Sequence, residues 1–266
     1  MMARVLIVAG SDSGGGAGIQ ADIKTVTALG GYATTAITAL TAQDTHGVHG
    51  VFPVDPVFIA RQMEVVLDDI GTDAVKTGML HSGAVIEAVV AALARLPPTV
   101  PLVVDPVMVA KGGGRLLDPL AVGVMRLALL PRATVLTPNL PEAEALLERR
   151  ISTVDDMRNA ARALLALGPA AVLLKGGHLP GTRIADVLVD AEREVVFDGE
   201  RIAGRNTHGT GCTLASAVAT GLAQQLSLEA AVDRARRYLR EAMERAPGIG
   251  NGHGPLQHGH TVRPFD

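Results

Sequence analysis

Short apolar runs rich in β-branched residues alternate with longer Ala- and Leu-rich segments along most of the chain. The runs Val5–Ala9, Thr34–Leu40, Ala74–Thr77, Leu102–Asp105, Thr134–Leu136 and Ala171–Lys175 have the length and composition of strands. They are apolar throughout rather than alternating, as strands covered on both faces are. Between them, Ile19–Leu29, Pro56–Ile70, Ser82–Leu96, Leu117–Leu130, Glu142–Leu147 and Val154–Leu167 predict helices. Strands alternating with helices imply right-handed βαβ units and a parallel sheet. After Lys175 the rhythm changes. Ile184–Val189 and Glu194–Asp198 flank Asp190-Ala-Glu-Arg193, a hairpin pattern, and two helical patterns follow, Thr213–Leu226 and Leu228–Ala246. The segment from Pro247 is rich in Gly and His and predicts irregular structure.

No Pro/Ser linker and no internal repeat interrupts this order. The expectation is one α/β domain over residues 1–266, a three-layer sandwich with a mostly parallel central sheet flanked by helices, and an irregular tail over 247–266. Ligands in such folds bind beyond the carboxyl ends of the strands, so the loops there are where chemistry is expected.

Composition narrows the field. The 266 residues are 48% hydrophobic but only 2% aromatic with no Trp, so the core is aliphatic. The net charge of -3 and the lack of a basic tract argue against a nucleic-acid partner. The first apolar run is too short for a signal-peptide core, and no stretch reaches bilayer length, so a cytoplasmic protein without a membrane partner is expected. A single cysteine, Cys212, excludes an internal disulfide and leaves a buried thiol or a reactive one.

Two glycine-rich loops stand out. Gly10-Ser-Asp-Ser-Gly-Gly-Gly-Ala-Gly-Ile-Gln-Ala-Asp22 follows the first strand. Its Gly16-Ala-Gly-Ile-Gln-Ala21 fits the loose dinucleotide pattern, but Gly16 lies too far past the strand end, and no Lys-Ser/Thr-ended phosphate loop is present. Asn206-Thr-His-Gly-Thr-Gly-Cys212 runs into a helix of small residues. A helix amino end carries unpaired N–H groups and a positive dipole end, and Gly209 and Gly211 allow close approach, so the loop is either an anion hole or a plain glycine-rich cap. At such an end Cys212 is expected to have a lowered pKa.

Other strand ends carry polar groups. Asp105 leads into Pro106-Val-Met-Val-Ala-Lys-Gly-Gly-Gly114, and Thr137-Pro-Asn-Leu-Pro-Glu142 opens a helix. Asn139 and Glu142 fit either a phosphate and water-linked Mg²⁺ site or a simple capping box. Lys175-Gly-Gly-His178 places a lysine where it can reach a phosphate or lie on the surface. His46 and His49 read as part of a polar loop, and His253, His258 and His260 as a solvated tail.

In order, Ala9–Asp22, Thr38-Ala-Leu-Thr-Ala-Gln43, Lys76-Thr-Gly-Met-Leu80, Asp105-Pro-Val-Met108, Thr137–Glu142, Lys175–His178 and Asn206–Cys212 carry a resemblance that covers essentially residues 3–260. Together they resemble the hydroxymethylpyrimidine/phosphomethylpyrimidine kinases of thiamine biosynthesis, within the ribokinase-like superfamily. The resemblance implies ATP and Mg²⁺ as cosubstrate and cofactor, and two successive phosphorylations of a pyrimidine alcohol. It implies that Gln43 binds the aminopyrimidine edge and that Gly10, Ala17, Met79 and Val107 wall the pocket. It places Lys175, Asn139, Thr207, Gly209 and Gly211 on the nucleotide. Glu142 and Asp105 would hold Mg²⁺ through water. Thr210 and Cys212, with Gly209, Gly211 and Lys175, would form the transfer site. Most relatives in the superfamily have an aspartate base where Cys212 stands, which favours the pyrimidine branch and leaves the base open. A homodimer is expected by analogy. The alternatives are a pyridoxal kinase of the same superfamily, a dinucleotide-dependent oxidoreductase and a non-catalytic ligand-binding relative.

Overall fold

The computed structural model describes residues 2–109, 113–114 and 116–263. Ala110, Lys111 and Gly112 of the glycine-rich loop after Asp105 lie outside the described residues, as do 264–266 of the tail. Among those described, nine strands form one sheet in the order β3-β2-β1-β4-β5-β6-β7-β8-β9. They are β1 (Arg4–Asp12), β2 (Tyr32–Gln43), β3 (Val48–Pro53), β4 (Ala74–Thr77), β5 (Leu102–Val104), β6 (Val135–Leu136), β7 (Ala171–Leu174), β8 (Arg183–Asp190) and β9 (Glu194–Glu200). The run from β2 to β7 is parallel, and β3, β8 and β9 are antiparallel additions at the two edges. The predicted α/β architecture is therefore present, with its strand order reversing between β1 and β4.

Alternate residues of the apolar strands feed two cores. Leu6, Val8, Val75, Val104 and Leu136 face one helical layer, made of α2 (Pro56–Asp69), α3 (Gly83–Leu93), α4 (Ala121–Val124), α5 (Leu140–Leu147) and α6 (Val154–Leu165). Val5, Ile7, Ala9, Val103, Val135 and Leu173 face the other, made of α1 (Gly18–Ala28), α7 (Thr210–Ala223) and α8 (Leu228–Glu244). Helix α7 is the inner helix of its layer, with every residue from Thr213 to Gly221 buried. Its small side chains let it lie close to the sheet and to α8, where a Cβ on Gly221 would come within 2.7 Å of Ala231 Cβ.

Several boundaries differ from the sequence reading, each for a local reason. Strand β1 continues to Asp12, so Gly10 lies in the strand; a register shift between Ala9 and Ser11 absorbs the irregularity. Strand β3 was hidden by its Gly and His content, and it carries His49, which pairs with Asp44 at 3.1 Å, while His46 stays in the turn. The pattern over 117–130 starts only at Ala121, because Asp118 accepts from Leu120 N in a turn, and it continues as a π turn (Met125–Leu129) and a 3-10 turn at Pro131. Helix α7 starts at Thr210, three residues earlier than its apolar pattern. The tail is solvated only in part: His253 is exposed, but the segment after it is partly buried. A 3-10 turn (His258–Thr261) packs against α8; His258 is buried, and the His260 ring lies 4.7 Å from that of Tyr238.

A fully buried ion pair joins the layers under the carboxyl ends of the strands. Lys76 of β4 donates to both oxygens of Asp22 on α1 at 2.9 Å, and Ser216 of α7 donates to Asp22 Oδ1 at 2.7 Å. Burial opposes charge on Lys76, but Asp22 and the other acidic groups around it hold its ammonium protonated, above the ordinary lysine range. Removing one partner of a buried pair strands the other. We therefore expect Lys76→Met to cost about 3–5 kcal/mol in urea unfolding, whereas a loss below about 1 kcal/mol would show that Asp22 finds water.

Candidate active site

The wall of the site begins at β1. Gly10 leaves room for Met79, whose sulfur would lie 3.0 Å from a Cβ placed there. Met79 joins Ala39 and Leu116 in a small apolar cluster that Val107 packs against. Ala17 is the residue before α1, and its N–H donates to Asp12 Oδ2. Gln43 ends β2; its backbone N–H donates to Ser13 Oγ, and Ser13 Oγ donates back to the Gln43 carbonyl, both at 2.8 Å. The structure thus gathers Gly10, Met79 and Val107 on one apolar wall, with Ala17 and Gln43 on the adjoining loops.

Across from this wall stands the amino end of α7. Gly209 precedes the helix with φ of 79° and no capping side chain. Only glycine suits that position, since a Cβ would also sit 1.9 Å from the Gly16 carbonyl oxygen. Thr210, Gly211 and Cys212 form the first turn, and no acidic residue occupies it. First-turn N–H groups have no partner within a helix, so this end offers donors to an anion. Thr207 lies in the approach, its N–H donating to the Arg205 carbonyl.

Lys175 reaches the same place from β7. Its Nζ would be 3.2 Å from a Cβ on Gly211 and donates to Asp105 Oδ1 at 2.9 Å. Its side chain is only 12% exposed, which removes the reading of a surface lysine. Asn139 and Glu142 do form a capping box: Asn139 Oδ1 accepts from Glu142 N, and Glu142 Oε2 accepts from Asn139 N. An isolated bridge between Asn139 and Lys175 keeps this box beside the lysine. Burial pushes the Glu142 carboxyl up to about 7; the Lys175 charge opposes that rise and the Asp105 charge adds to it.

The expected low-pKa thiolate is not what the structure holds. Cys212 is half-buried as a residue, and the protein packed around its thiol still desolvates it. Burial pushes the thiol up to about 12; Lys76 opposes the rise, Asp22 and Asp105 add to it, and a hydrogen bond from the Gly18 N–H offsets only part. Desolvation outweighs the helix dipole here.

Three polar contacts at the site escaped the sequence reading. His208 Nε2 lies 2.8 Å from Asp12 Oδ2, joining the two glycine-rich loops. Ser216, on Cys212's own helix, bonds to Asp22, which pairs with Lys76 of β4; a lysine inside an otherwise apolar strand was the available signal. His258 Nε2 lies 2.9 Å from Thr213 Oγ1, which donates to the Gly209 carbonyl at 2.8 Å, so the tail braces the anion-hole turn. Among the described residues no group of three or more His, Cys, Asp or Glu is placed to hold a metal directly. Among the same residues no helix is long and apolar enough to cross a membrane.

Comparison with known proteins agrees with this geometry. The family model described as "Phosphomethylpyrimidine kinase" matches residues 12–257. The chain is 49% identical over 255 residues to the hydroxymethylpyrimidine/phosphomethylpyrimidine kinase of Streptomyces coelicolor, covering 96% of this chain and 94% of that protein. It is 53% identical over 254 residues to a thiamine biosynthesis bifunctional protein of Geobacter sulfurreducens, covering 96% of this chain and 52% of the relative. The chain thus spans about half the length of that bifunctional relative. Among solved structures, a phosphomethylpyrimidine kinase from Clostridium difficile aligns with a TM-score of 0.80 at 42% identity, covering 90% of this chain and 99% of that one. A Bacillus subtilis pyridoxal kinase, solved as an ADP complex, aligns with a TM-score of 0.89 at 39% identity, covering 97% and 98%. The overall fold is thus shared with these kinases, and the chain belongs to the phosphomethylpyrimidine kinase family, on the ribokinase-like fold.

Proposed function

We propose that this protein transfers the γ-phosphoryl group of ATP to 4-amino-5-hydroxymethyl-2-methylpyrimidine and then to the resulting monophosphate, as a thiamine-biosynthetic kinase. The observation that carries this is the approach of Lys175 to the glycine-opened amino end of α7, with Nζ 3.2 Å from where a Gly211 Cβ would stand. A cation and a row of free N–H groups then converge on one point, which suits the oxygens of a phosphoryl group in flight. Gln43 binds the aminopyrimidine edge, and Gly10, Ala17, Met79 and Val107 form the walls. Asn139, Thr207, Gly209 and Gly211 contact the nucleotide phosphates.

Mg²⁺ fits the acidic side of the site. Asp105 pairs with Lys175, and Glu142 lies within reach of both charges, so two carboxylates stand side by side there, as oxygen ligands to a divalent cation do. Glu142 and Asp105 would hold it through water, and it would neutralise phosphate oxygens when bound.

The hydroxymethyl oxygen attacks the γ-phosphorus in line. The new O–P bond forms as the bond to the β,γ-bridging oxygen breaks, and ADP leaves. Lys175 and the N–H groups of the first turn of α7, Thr210 included, take the charge on the transferred oxygens. With its pKa pushed up to about 12, Cys212 rests as the thiol at pH 7. The hydroxyl proton is therefore lost late, to an oxygen of the transferred group, and is released to water from the product. In the second step a phosphate oxygen attacks a second ATP, and no proton needs removal. Cys212 contributes shape and polarisability to the hole rather than a resting base.

The closest competing chemistry is phosphorylation of pyridoxal, since solved pyridoxal kinases share the fold. We read the whole chain as one catalytic unit acting in the cytosol, where ATP is supplied. A homodimer is supported by an apolar strip at the β3 edge, where Leu40 and Phe52 pair across strands beside Val57 and Phe58, all of them exposed.

The test is a coupled assay with ATP, Mg²⁺ and the pyrimidine alcohol, reading product mass. Addition of one and then two phosphoryl groups is expected; turnover of pyridoxal alone would transfer the assignment. In the same assay, Cys212→Ala should slow the two steps to within about threefold of each other, because a selective loss of about 10²-fold or more in the first step is the signature of a general base. Cys212 is the sole cysteine, so its titration can be read directly. A raised pKa keeps the thiol protonated until pH approaches that value. Iodoacetamide should therefore label the folded protein far more slowly at pH 8 than the urea-unfolded chain, with the rate still climbing above pH 10. A plateau below pH 9 would contradict the buried thiol.

A further inference from the structure

His208 sits where three loops meet, and its ring decides what Gln43 can present to a ligand. The ring is 8% exposed and the Asp12 side chain 3%. Asp12 Oδ1 accepts from Gly14 N at 2.8 Å, and Oδ2 accepts from Gly16 N at 3.0 Å and Ala17 N at 2.8 Å. Burial favours the neutral acid, but the hydrogen bonds from His208, Ala17 and Gly14 outweigh it and hold the carboxyl below its ordinary value. Asp12 is thus an acceptor only. The ring nitrogen 2.8 Å from its Oδ2 must carry a proton, which fixes Nε2 as a donor.

The Gln43 amide lies on that same nitrogen. One end of the amide, placed as its nitrogen, is 3.4 Å from His208 Nε2, and the other is 3.0 Å from Thr41 Oγ1. Two donors cannot satisfy one another. Exchanging the amide oxygen and nitrogen resolves the network, since amide orientation is assigned from its partners. His208 Nε2–H then donates to the Gln43 oxygen as well as to Asp12. The amide nitrogen donates to Thr41 Oγ1, whose own proton goes to the Ser11 carbonyl at 2.9 Å. Every group is then paired with an opposite one.

We propose that His208, held by Asp12, is a positioning residue that fixes the polarity of the Gln43 amide and so makes the site select a 4-amino over a 4-oxo pyrimidine edge. The inference rests on Gln43 being the edge-binding residue proposed above. An amide presents one acceptor and one donor side by side. A 4-aminopyrimidine offers the matching pair, an exocyclic N–H donor and the ring N3 acceptor. Its 4-oxo counterpart offers the reverse, a carbonyl acceptor and an N3–H donor, and needs the amide turned over. With His208 donating to the oxygen, turning the amide would set its N–H against the ring N–H. His208 also precedes Gly209, and its own N–H donates to the Gly254 carbonyl at 3.1 Å, so the backbone that carries the ring is tied to the anion-hole turn.

The test compares kcat/KM for first-step phosphorylation of the 4-amino alcohol and of its 4-oxo analogue. The wild-type enzyme should favour the amino compound by about 10²-fold or more, because a reversed hydrogen-bonding edge leaves buried groups unpaired. In His208→Met, which has no donor, that ratio should fall by at least about tenfold. In His208→Gln, whose amide can still donate to Asp12 and Gln43, the ratio should be largely retained. A purely structural role predicts that His208→Met slows both compounds by the same factor, and that result overturns the inference. So does a wild-type enzyme that does not discriminate. The outcome is separable from failure of the site itself: if Gln43→Ala leaves kcat/KM for the amino alcohol unchanged, Gln43 is not the edge-binding residue and the site reading falls with it. A second reading needs no substitution. Long-range ¹⁵N NMR of the wild-type protein should show His208 Nε2 protonated, and an unprotonated Nε2 overturns the inference.

Discussion

The position of α7 depends on the buried contact between Lys76, Asp22 and Ser216. A helix made mostly of Ala, Ser, Thr and Gly, with Leu214 and Val218 as its larger buried side chains, packs closely on a sheet, but a surface of small residues sets its register weakly. A directional polar contact supplies what the small side chains cannot. Ser216 lies one turn after Cys212, on the same face, so its bond to Asp22 sets both the height and the rotation of the helix. Asp22 belongs to α1 and Lys76 to β4, so one ion pair ties the amino end of α7 to the strand-order reversal between β1 and β4. Buried pairs of this kind are often poor contributors to net stability. Here the pair places a helix end and, with it, the unpaired N–H groups of its first turn.

The rest of the site is built by backbone approach rather than by long side chains. Gly209 meets Gly16 closely enough that no side chain fits between the two loops. The Asp12–His208 contact closes the same seam from the side-chain direction. The C-terminal segment then backs it: the Gly254 carbonyl accepts from His208, and His258 meets Thr213. A tail that reads as loose in composition is therefore part of the wall. On the proposed function, the pocket for the alcohol and the hole for the phosphoryl group share this one piece of framework.

Much of this was legible along the chain, and the failures have physical causes. The parallel strands showed through because burial on both faces makes them continuously apolar, and the hairpin of β8 and β9 showed through its turn. Strand β3 did not, since an edge strand exposed on one side can be built from Gly, His and Val. The start of α7 was placed late because Thr210 and Gly211 carry no apolar signal; what places them in the helix is the left-handed Gly209 before them. The motif glycines and Lys175 were found as loop features. Their convergence could not be, because it depends on strands far apart in sequence. Asp12 and His208 stand 196 residues apart, and only the fold makes them one unit.

Cys212 shows how magnitudes decide between two sound local arguments. A helix amino end favours a thiolate by about 0.3–1 kcal/mol when exposed. Full desolvation of a titrating group opposes its charge by as much as about 3–5 pKa units, several times larger. The helix argument alone predicts a nucleophilic or basic cysteine, and burial reverses it. The reversal is compatible with phosphoryl transfer because a loose transition state needs little activation of the attacking hydroxyl. What such a reaction does need is charge neutralisation around the transferred oxygens. The site concentrates on that: an ammonium, a helix end with free N–H groups, and two carboxylates suited to a divalent cation. A weakly acidic thiol in this setting adds no competing negative charge beside the phosphoryl group. A full thiolate would add one at the point where the site gathers positive charge.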